Sequence, residues 1–261
     1  MPVVKSDSSL SKIVNATVVI PIFNPGDYFI DHIVSIYSLV QQIKPNVELI
    51  LVNDGSESIQ TEKIPKSIFN EITLISHSTN LGKGAALKTG FKEAQGDWVG
   101  FIDADGDIPA RFLIQILDAI NFENSQDNHV NPDLIISSKI LQDSKVNSSI
   151  FRKLSSFSFG YITKIFFDLP VRDTQTGLKM FSKKVLDSIL NLSAENGFLI
   201  DLELLNLAKI NGYTNFKEIP VTIIKRRNST LSFKTGIEML TGIFRLKHRL
   251  SKITRQLSEM N

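Results

Sequence analysis

Apolar runs of strand length and apolar stripes of helical period alternate along the first half of the chain. Ala16–Phe23 (ATVVIPIF) is a β-rich run ending in the turn Asn24-Pro25-Gly26, and Tyr28–Gln42 continues with helical spacing. Glu48–Asn53 is a second apolar run, closed by Asp54-Gly55-Ser56. Ile72–Ser76 predicts a third strand, Gly84–Ala94 a helix and Asp97–Ile102 a fourth strand. Leu134–Ser137 reads as another core strand, reached through the polar, turn-rich surface loop Asn121–Pro132. Such alternation predicts an α/β fold: a mainly parallel sheet whose crossover helices cover its faces.

The second half is patterned differently. Phe151–Phe167 reads as an amphipathic helix with Arg152, Lys153 and Lys164 interspersed, Phe198–Ile210 as a helix with an apolar stripe, and Lys217–Ile224 as a late strand. In the tail, Met239, Ile243, Leu246, Leu250, Ile253 and Leu257 form one seam, with Arg245, Lys247, Arg249, Lys252 and Arg255 on the other faces. A basic amphipathic helix of this kind can lie on an anionic membrane, pair with a second copy or dock on its own domain. These patterns divide the chain into a catalytic-type domain over 1–230 and a helical tail over 231–261.

Composition narrows the classes. A hydrophobic content of 42% with 21% charged residues is that of an ordinary globular domain, and 261 residues are enough for a substantial core. The absence of cysteine excludes disulfides and thiolate metal sites, and four scattered histidines suggest no zinc cluster. No apolar run reaches bilayer-spanning length and residues 1–12 lack a signal-peptide pattern, so a cytoplasmic location is expected. The net charge of +2 conceals a division. Residues 1–137 hold 9 Lys/Arg against 17 Asp/Glu, a net −8, whereas 138–261 hold 20 against 10, a net +10. A basic half points to an anionic partner. That partner is either nucleic acid or a membrane surface, and nucleic acid would leave the acidic cluster at residues 103–107 without a purpose.

The chemistry concentrates in GDWVGFIDADGDIPA, residues 96–110. Here an apolar strand ends in three alternating acids, Asp103, Asp105 and Asp107. Carboxylates about 5 Å apart repel by roughly 3 kcal/mol at an effective dielectric near 20. That repulsion is relieved when the acids splay into water or share a divalent cation. A calcium loop fits poorly, because Gly106 comes too early and Ile114 stands where the closing Glu belongs. Magnesium or manganese holding a phosphate-bearing substrate fits best. Asp54, at a strand exit, can accept from a nucleobase or ribose. In Asn80–Gly90 (NLGKGAALKTG), glycines flank Lys83 before a helix and can offer N–H groups and a cation to phosphate. Val171–Phe181 (VRDTQTGLKMF) is denser in polar groups than a turn requires and reads as a site loop.

Taken in order, VVIPIFN, LVNDGS, NLGKGAALKTGF, FIDADGD, RDTQTGLKMF and FLIDLELL resemble the family 2 glycosyltransferases, with the resemblance covering roughly residues 15–225. Within that family the set is most similar to the dolichyl- and polyprenyl-phosphate hexose synthases, and RDTQTGLK to their glucosyl branch. The resemblance implies the GT-A nucleotide-diphospho-sugar transferase fold and an inverting, metal-dependent hexosyl transfer, from UDP-glucose in preference to a guanosine donor. It places Pro21 and Asn24 in the first nucleotide loop, Asp54 at the base or ribose, and Gly82 and Lys83 along the nucleotide site. Asp103 and Asp105 become the DxD pair that holds Mg²⁺ or Mn²⁺ on the donor diphosphate. Pro25 departs from the Glu that many members carry after the Asn of the first loop.

The acceptor decides whether a base is needed. A phosphomonoester carries about −1.5 to −2 at neutral pH and is its own nucleophile, so a polyprenyl phosphate would need cations. Lys139, Arg152 and Arg172 match basic positions of the lipid-phosphate branch, with Lys139 standing for an Arg there. A sugar or protein hydroxyl would need a base, for which Asp173 and Asp201 are the candidates. A non-catalytic nucleotide-sugar-binding adaptor is the reading from another class. The Phe-rich stretch and basic tail would hold the domain peripherally at a membrane, unless the tail seam forms a homodimer.

Overall fold

A computed structural model of the chain describes residues 15–26, 28–43, 46–59, 61–124, 131–141, 145–146, 163–224 and 233–260. Strands β1 (Ala16–Ile22), β2 (Val47–Asn53), β3 (Thr73–Ser76), β4 (Trp98–Ile102), β5 (Leu134–Ser138), β7 (Leu178–Ser182) and β8 (Phe216–Pro220) form one sheet in the order β3-β2-β1-β4-β7-β5-β8. Every pairing is parallel except those of β7, which runs against β4 and β5. A two-stranded piece pairs β6 (Lys145–Val146) with β9 (Thr222–Ile223). The order turns back between β1 and β4, the kind of switch point where open α/β sheets hold ligands.

Alternation along β1 sorts the core into two layers. Val18, Ile20 and Ile22 face α1 (Phe29–Ile43) and α4 (Arg111–Asn124), while Val19 faces α3 (Lys83–Glu93). The second layer continues through α5 (Lys183–Leu190) and α6 (Ile200–Ile210) to α7 (Phe233–Met260), whereas the short α2 (Lys66–Phe69) packs with the first layer. Ile243, Leu246 and Leu250 of α7 are buried in that layer, and Ile253 packs against it. At about 2 kcal/mol per buried aliphatic side chain, this docking is a sizeable favourable term. The tail seam therefore packs on its own domain over 243–253. That is the docked arrangement among the three that the tail's pattern allows.

The strands of the first half lie where the apolar runs predict them, and three differences stand out elsewhere. Leu178–Ser182, read as loop, is a central strand, because its polar prelude masks a five-residue run buried on both faces. The surface loop starts later than Asn121, which belongs to α4; its centre lies outside the described residues. The late strand breaks at Pro220–Val221 into β8 and β9, as expected where proline removes a ladder donor. Of Phe151–Phe167, only 163–167 is described, as helix, and Arg152 lies outside the described residues.

Candidate active site

Because β7 runs against its neighbours, its first residues meet the C-terminal ends of β1, β2 and β4 on one rim. Leu178 pairs with Ile102, and the Asp103 N–H donates to the Gly177 carbonyl at 2.8 Å. A Cβ on Gly177 would stand 1.9 Å from Asp103 Oδ2, so glycine leaves the acid its place. Gly177→Ala is expected to cost about 1–3 kcal/mol of stability through overpacking. It should also displace Asp103, lowering transfer more than Tm alone accounts for, as seen by comparing kcat with thermal unfolding.

Asp103 is held from the other side by Lys83, the first residue of α3, whose Nζ lies 2.8 Å from Asp103 Oδ1 and 3.1 Å from Asp201 Oδ2. Asp201, on α6, reaches with its other oxygen to Lys179 Nζ of β7 at 2.5 Å, and that ammonium also donates to the Thr176 carbonyl at 2.5 Å. Lys179 is fully buried and Asp201 nearly so. Both ammonium groups stand over the Phe101 ring, at 4.9 and 5.4 Å from its centroid. Charges thus alternate from Asp103 through Lys83 and Asp201 to Lys179. Burial by itself would lower the Lys83 pKa, but Asp103 and then Asp201 outweigh it and hold the ammonium above the ordinary lysine range. Burial would raise Asp201, yet Lys179 and then Lys83 keep it below the usual carboxylate value. An acid so held is a counter-ion and a poor proton acceptor.

Asp105 is the opposite case. Its Oδ1 accepts the Asp107 N–H at 3.0 Å, fixing the turn, and the residue keeps an exposed outer side. Loss of water where the turn folds over the carboxyl, followed by the neighbouring Asp103 charge, pushes its pKa up to about 7; Asp107 adds to the repulsion, while Lys83 pulls against it. The Asp107 carbonyl accepts the Ile224 N–H at 2.8 Å, tying the acidic turn to the end of β9. Among the described residues no three ligating side chains converge into a ready-made cage. Two carboxylates short of positive charge, with further ligands expected from substrate phosphates, is nonetheless the donor set that suits magnesium or manganese.

The loop before Lys83 departs from its expected use. Asp54 is buried, and its oxygens accept the N–H groups of Leu81 (2.9 Å) and Gly82 (2.8 Å) and contact His77 Nδ1 at 2.7 Å. His77 Nε2 in turn meets Thr89 Oγ1 at 3.0 Å. The N–H groups of Gly84 and Ala85 go to the Asn196 carbonyl at 2.7 and 3.3 Å. This loop therefore does not present a row of open N–H groups to phosphate; it delivers the Lys83 side chain. The carboxylate of Asp54 thus also holds the 77–82 turn in place. Pro21 lies in β1 opposite Val52, and Asn24, at φ 42°, donates its N–H to Ser56 Oγ at 2.9 Å, so the first two strand-end loops are joined.

Asp173 organises the remaining loop. Its carboxylate accepts the Lys139 N–H (2.9 Å), the Gln175 N–H (3.0 Å) and the Thr176 hydroxyl, with Lys139 Nζ 4.0 Å away. The N–H groups of Arg172 and Asp173 donate to Glu218, leaving the Arg172 residue exposed. Lys139 and Arg172 are thus gathered by one loop that ends against Asp103. Sequence reasoning did not assign Lys179, Gly177 or His77; a lysine inside the apolar strand LKMF was the available signal for the first.

The profile of glycosyl transferase family 2 matches residues 17–190. The chain belongs to that family. Among relatives of the family 2 chain, the dolichyl-phosphate beta-glucosyltransferase of Saccharomyces cerevisiae is 29% identical over 220 residues, 79% of this chain and 66% of the yeast protein. The dolichol-phosphate mannosyltransferase of Pyrococcus furiosus is 29% identical over 248 residues, 92% of this chain and 65% of its own. The chain therefore spans about two thirds of the length of these relatives. Glucosyl-3-phosphoglycerate synthase from Mycobacterium tuberculosis, solved with uridine diphosphate, shares the fold at TM-score 0.63 and 18% identity over 90% of this chain and 80% of that one. The same enzyme solved with Mn²⁺, uridine diphosphate and glucosyl-3-phosphoglycerate gives 0.58 at 19% identity, covering 91% and 80%. The expected GT-A architecture is the one found.

Proposed function

We propose that this family 2 chain transfers a hexosyl group, with inversion, from a nucleotide-diphosphate sugar, UDP-glucose first, to a polyprenyl phosphate at a membrane surface. The observation that carries the choice of acceptor is that both candidate bases are occupied. Asp201 lies between two lysines, and Asp173 lies under three donors beside a third lysine. A phosphate acceptor needs no base, since its second pKa near 6 leaves it charged at neutral pH. The Saccharomyces cerevisiae and Pyrococcus furiosus relatives are named for the same acceptor class, a dolichol phosphate.

Asp103 and Asp105 would hold Mg²⁺ or Mn²⁺, which supplies charge neutralisation to the diphosphate as leaving group. Lys83 keeps Asp103 oriented and adds a cation on the donor side. Pro21, Asn24 and Gly82 line the rim where the nucleoside would lie, with Asp54 fixing that rim from below. Lys139 and Arg172, to which the sequence resemblance adds Arg152, would face the acceptor phosphate. Its oxygen forms the bond to the anomeric carbon as the bond from that carbon to the diphosphate oxygen breaks, and the nucleoside diphosphate leaves with the electron pair. The outer face near α7 supports membrane contact: Ile165 and Phe244 are 64% and 59% exposed, with Lys164, Arg245 and Lys247 around them. Each cation near an anionic surface adds about 1 kcal/mol. No helix among the described residues is long and apolar enough to cross a membrane.

Arg172→Ala is expected to raise the acceptor KM about tenfold, as for loss of a charge-assisted hydrogen bond, with donor KM unchanged. Steady-state kinetics with a short polyprenyl phosphate, and with the matching polyprenol as control, test the reading. Equal loss of both KM values, or faster transfer to the alcohol, would contradict it.

A further inference from the structure

Glu203 is fully buried on α6, two residues beyond Asp201, and donors surround its carboxylate. Oε2 accepts the Ser193 hydroxyl at 2.6 Å and the Glu195 N–H at 2.9 Å, while Oε1 accepts the Ala194 N–H at 3.2 Å and the Arg249 guanidinium from α7. Those bonds fix residues 193–195. Asn196 then presents its carbonyl to the first N–H groups of α3 and its side-chain oxygen to Lys88 Nζ at 2.7 Å. The fit leaves no slack. A Cβ on Gly82 would come within 2.3 Å of the Asn196 carbonyl oxygen, and one on Gly84 within 2.6 Å of that of Glu195. Between these two glycines stands Lys83, pinned to Asp103 and Asp201.

We propose that Arg249 is a positioning residue of the donor site. Through Glu203 and the 193–196 loop, the C-terminal helix sets the start of α3 and with it the place of Lys83 beside Asp103. The proposal rests on reading the Lys83–Asp103–Asp105 rim as the donor diphosphate site. Its physical basis is the charge on Glu203. Without Arg249, a buried carboxylate is left with three neutral donors, and it regains solvation only by drawing the 193–195 loop out of place. A loop that interlocks with two glycines transmits that shift to the helix start. The buried face of α7 thus acts on the donor site through Glu203 and the 193–196 loop.

The test is calorimetric titration of UDP in the presence of Mn²⁺ into the full chain, for wild type, Arg249→Met, Arg249→Lys and Arg255→Ala. Arg255 is an exposed cation of the same helix that pairs with Glu259. Arg249→Met is expected to weaken UDP binding about three- to tenfold, within the range of coupling energies carried through packed networks, with acceptor KM unchanged. Arg249→Lys is expected to restore most of the affinity, and Arg255→Ala to match wild type. A purely structural role would lower the Tm of Arg249→Met and leave its UDP affinity, measured well below Tm, at the wild-type value; that result overturns the proposal. Should Arg249→Met fail to fold, Ser193→Ala removes one loop anchor and is expected to weaken UDP binding in the same direction; unchanged affinity there overturns it equally. Wild-type protein that does not bind UDP at all would remove the donor-site reading and the proposal with it, whereas wild-type binding with no effect of Arg249→Met removes the proposal alone.

Discussion

Asp105→Asn is expected to abolish hexosyl transfer while leaving the metal-free protein at least as stable as wild type. The two effects share a cause. Loss of water in the folded turn, followed by the Asp103 charge and then that of Asp107, pushes the Asp105 carboxyl up to about 7, against the Asp107 N–H and Lys83. Neutralising it relieves repulsion in the folded state and removes half of the acidic pair proposed to hold the cation. Loss of one group that stabilises charge on a leaving group costs about 10²–10³ in kcat, and the full loss of metal exceeds that. The check is kcat/KM together with thermal unfolding in EDTA. Residual activity within tenfold of wild type, or inactivity explained by a fall in Tm, would count against the assignment. Sites that break local stability rules in this way are where function is expected to reside.

The largest loss of stability is expected at Asp201. Replacing it by Asn leaves Lys83 and Lys179 without their shared counter-ion, and breaking a buried ion pair on one side costs about 3–5 kcal/mol. Urea unfolding should show the midpoint falling with little change in slope. Adding Lys179→Met is expected to return part of the loss, because the orphaned cation is then gone and Lys83 keeps Asp103. The pH dependence has a definite sign. A carboxylate whose folded pKa is depressed contributes fully above its unfolded value and loses that contribution as pH falls through the folded one. The gap between wild type and Asp201→Asn should therefore be constant above about pH 4 and shrink below it. A general base would behave otherwise: Asp201→Asn would lose kcat at wild-type stability.

Local pattern carried the first half of the fold and little of the second. Ala16–Ile22, Val47–Asn53, Thr73–Ser76 and Trp98–Ile102 are short apolar runs closed by turn residues, and such runs in a parallel sheet are hard to misread. Leu178–Ser182 was not legible as a strand, because its partners β4 and β5 are distant in sequence and its polar prelude looks like loop. The same holds for the site. Asp103 and Asp105 announce themselves by spacing, whereas the roles of Asp54, Asp173 and Asp201 depend on which donors the fold brings to them. Sequence offered each of these three as a functional carboxylate. The structure gives each of them protein partners, N–H groups, a hydroxyl or lysines, that its spacing in the chain did not announce. For the basic tail, periodicity allowed membrane, second copy and own domain, and burial of Ile243, Leu246 and Leu250 places that face on the domain.

The most direct test of the central claim is transfer of radiolabelled sugar from UDP-glucose to a short polyprenyl phosphate, with Mn²⁺ or Mg²⁺ and with EDTA. The expected product is an organic-extractable glycosyl phosphate that forms with either metal, vanishes in EDTA and is absent with Asp105→Asn. Metal-dependent release of UDP with product only on a hydroxyl acceptor, or lipid product that persists in EDTA and in Asp105→Asn, would contradict it.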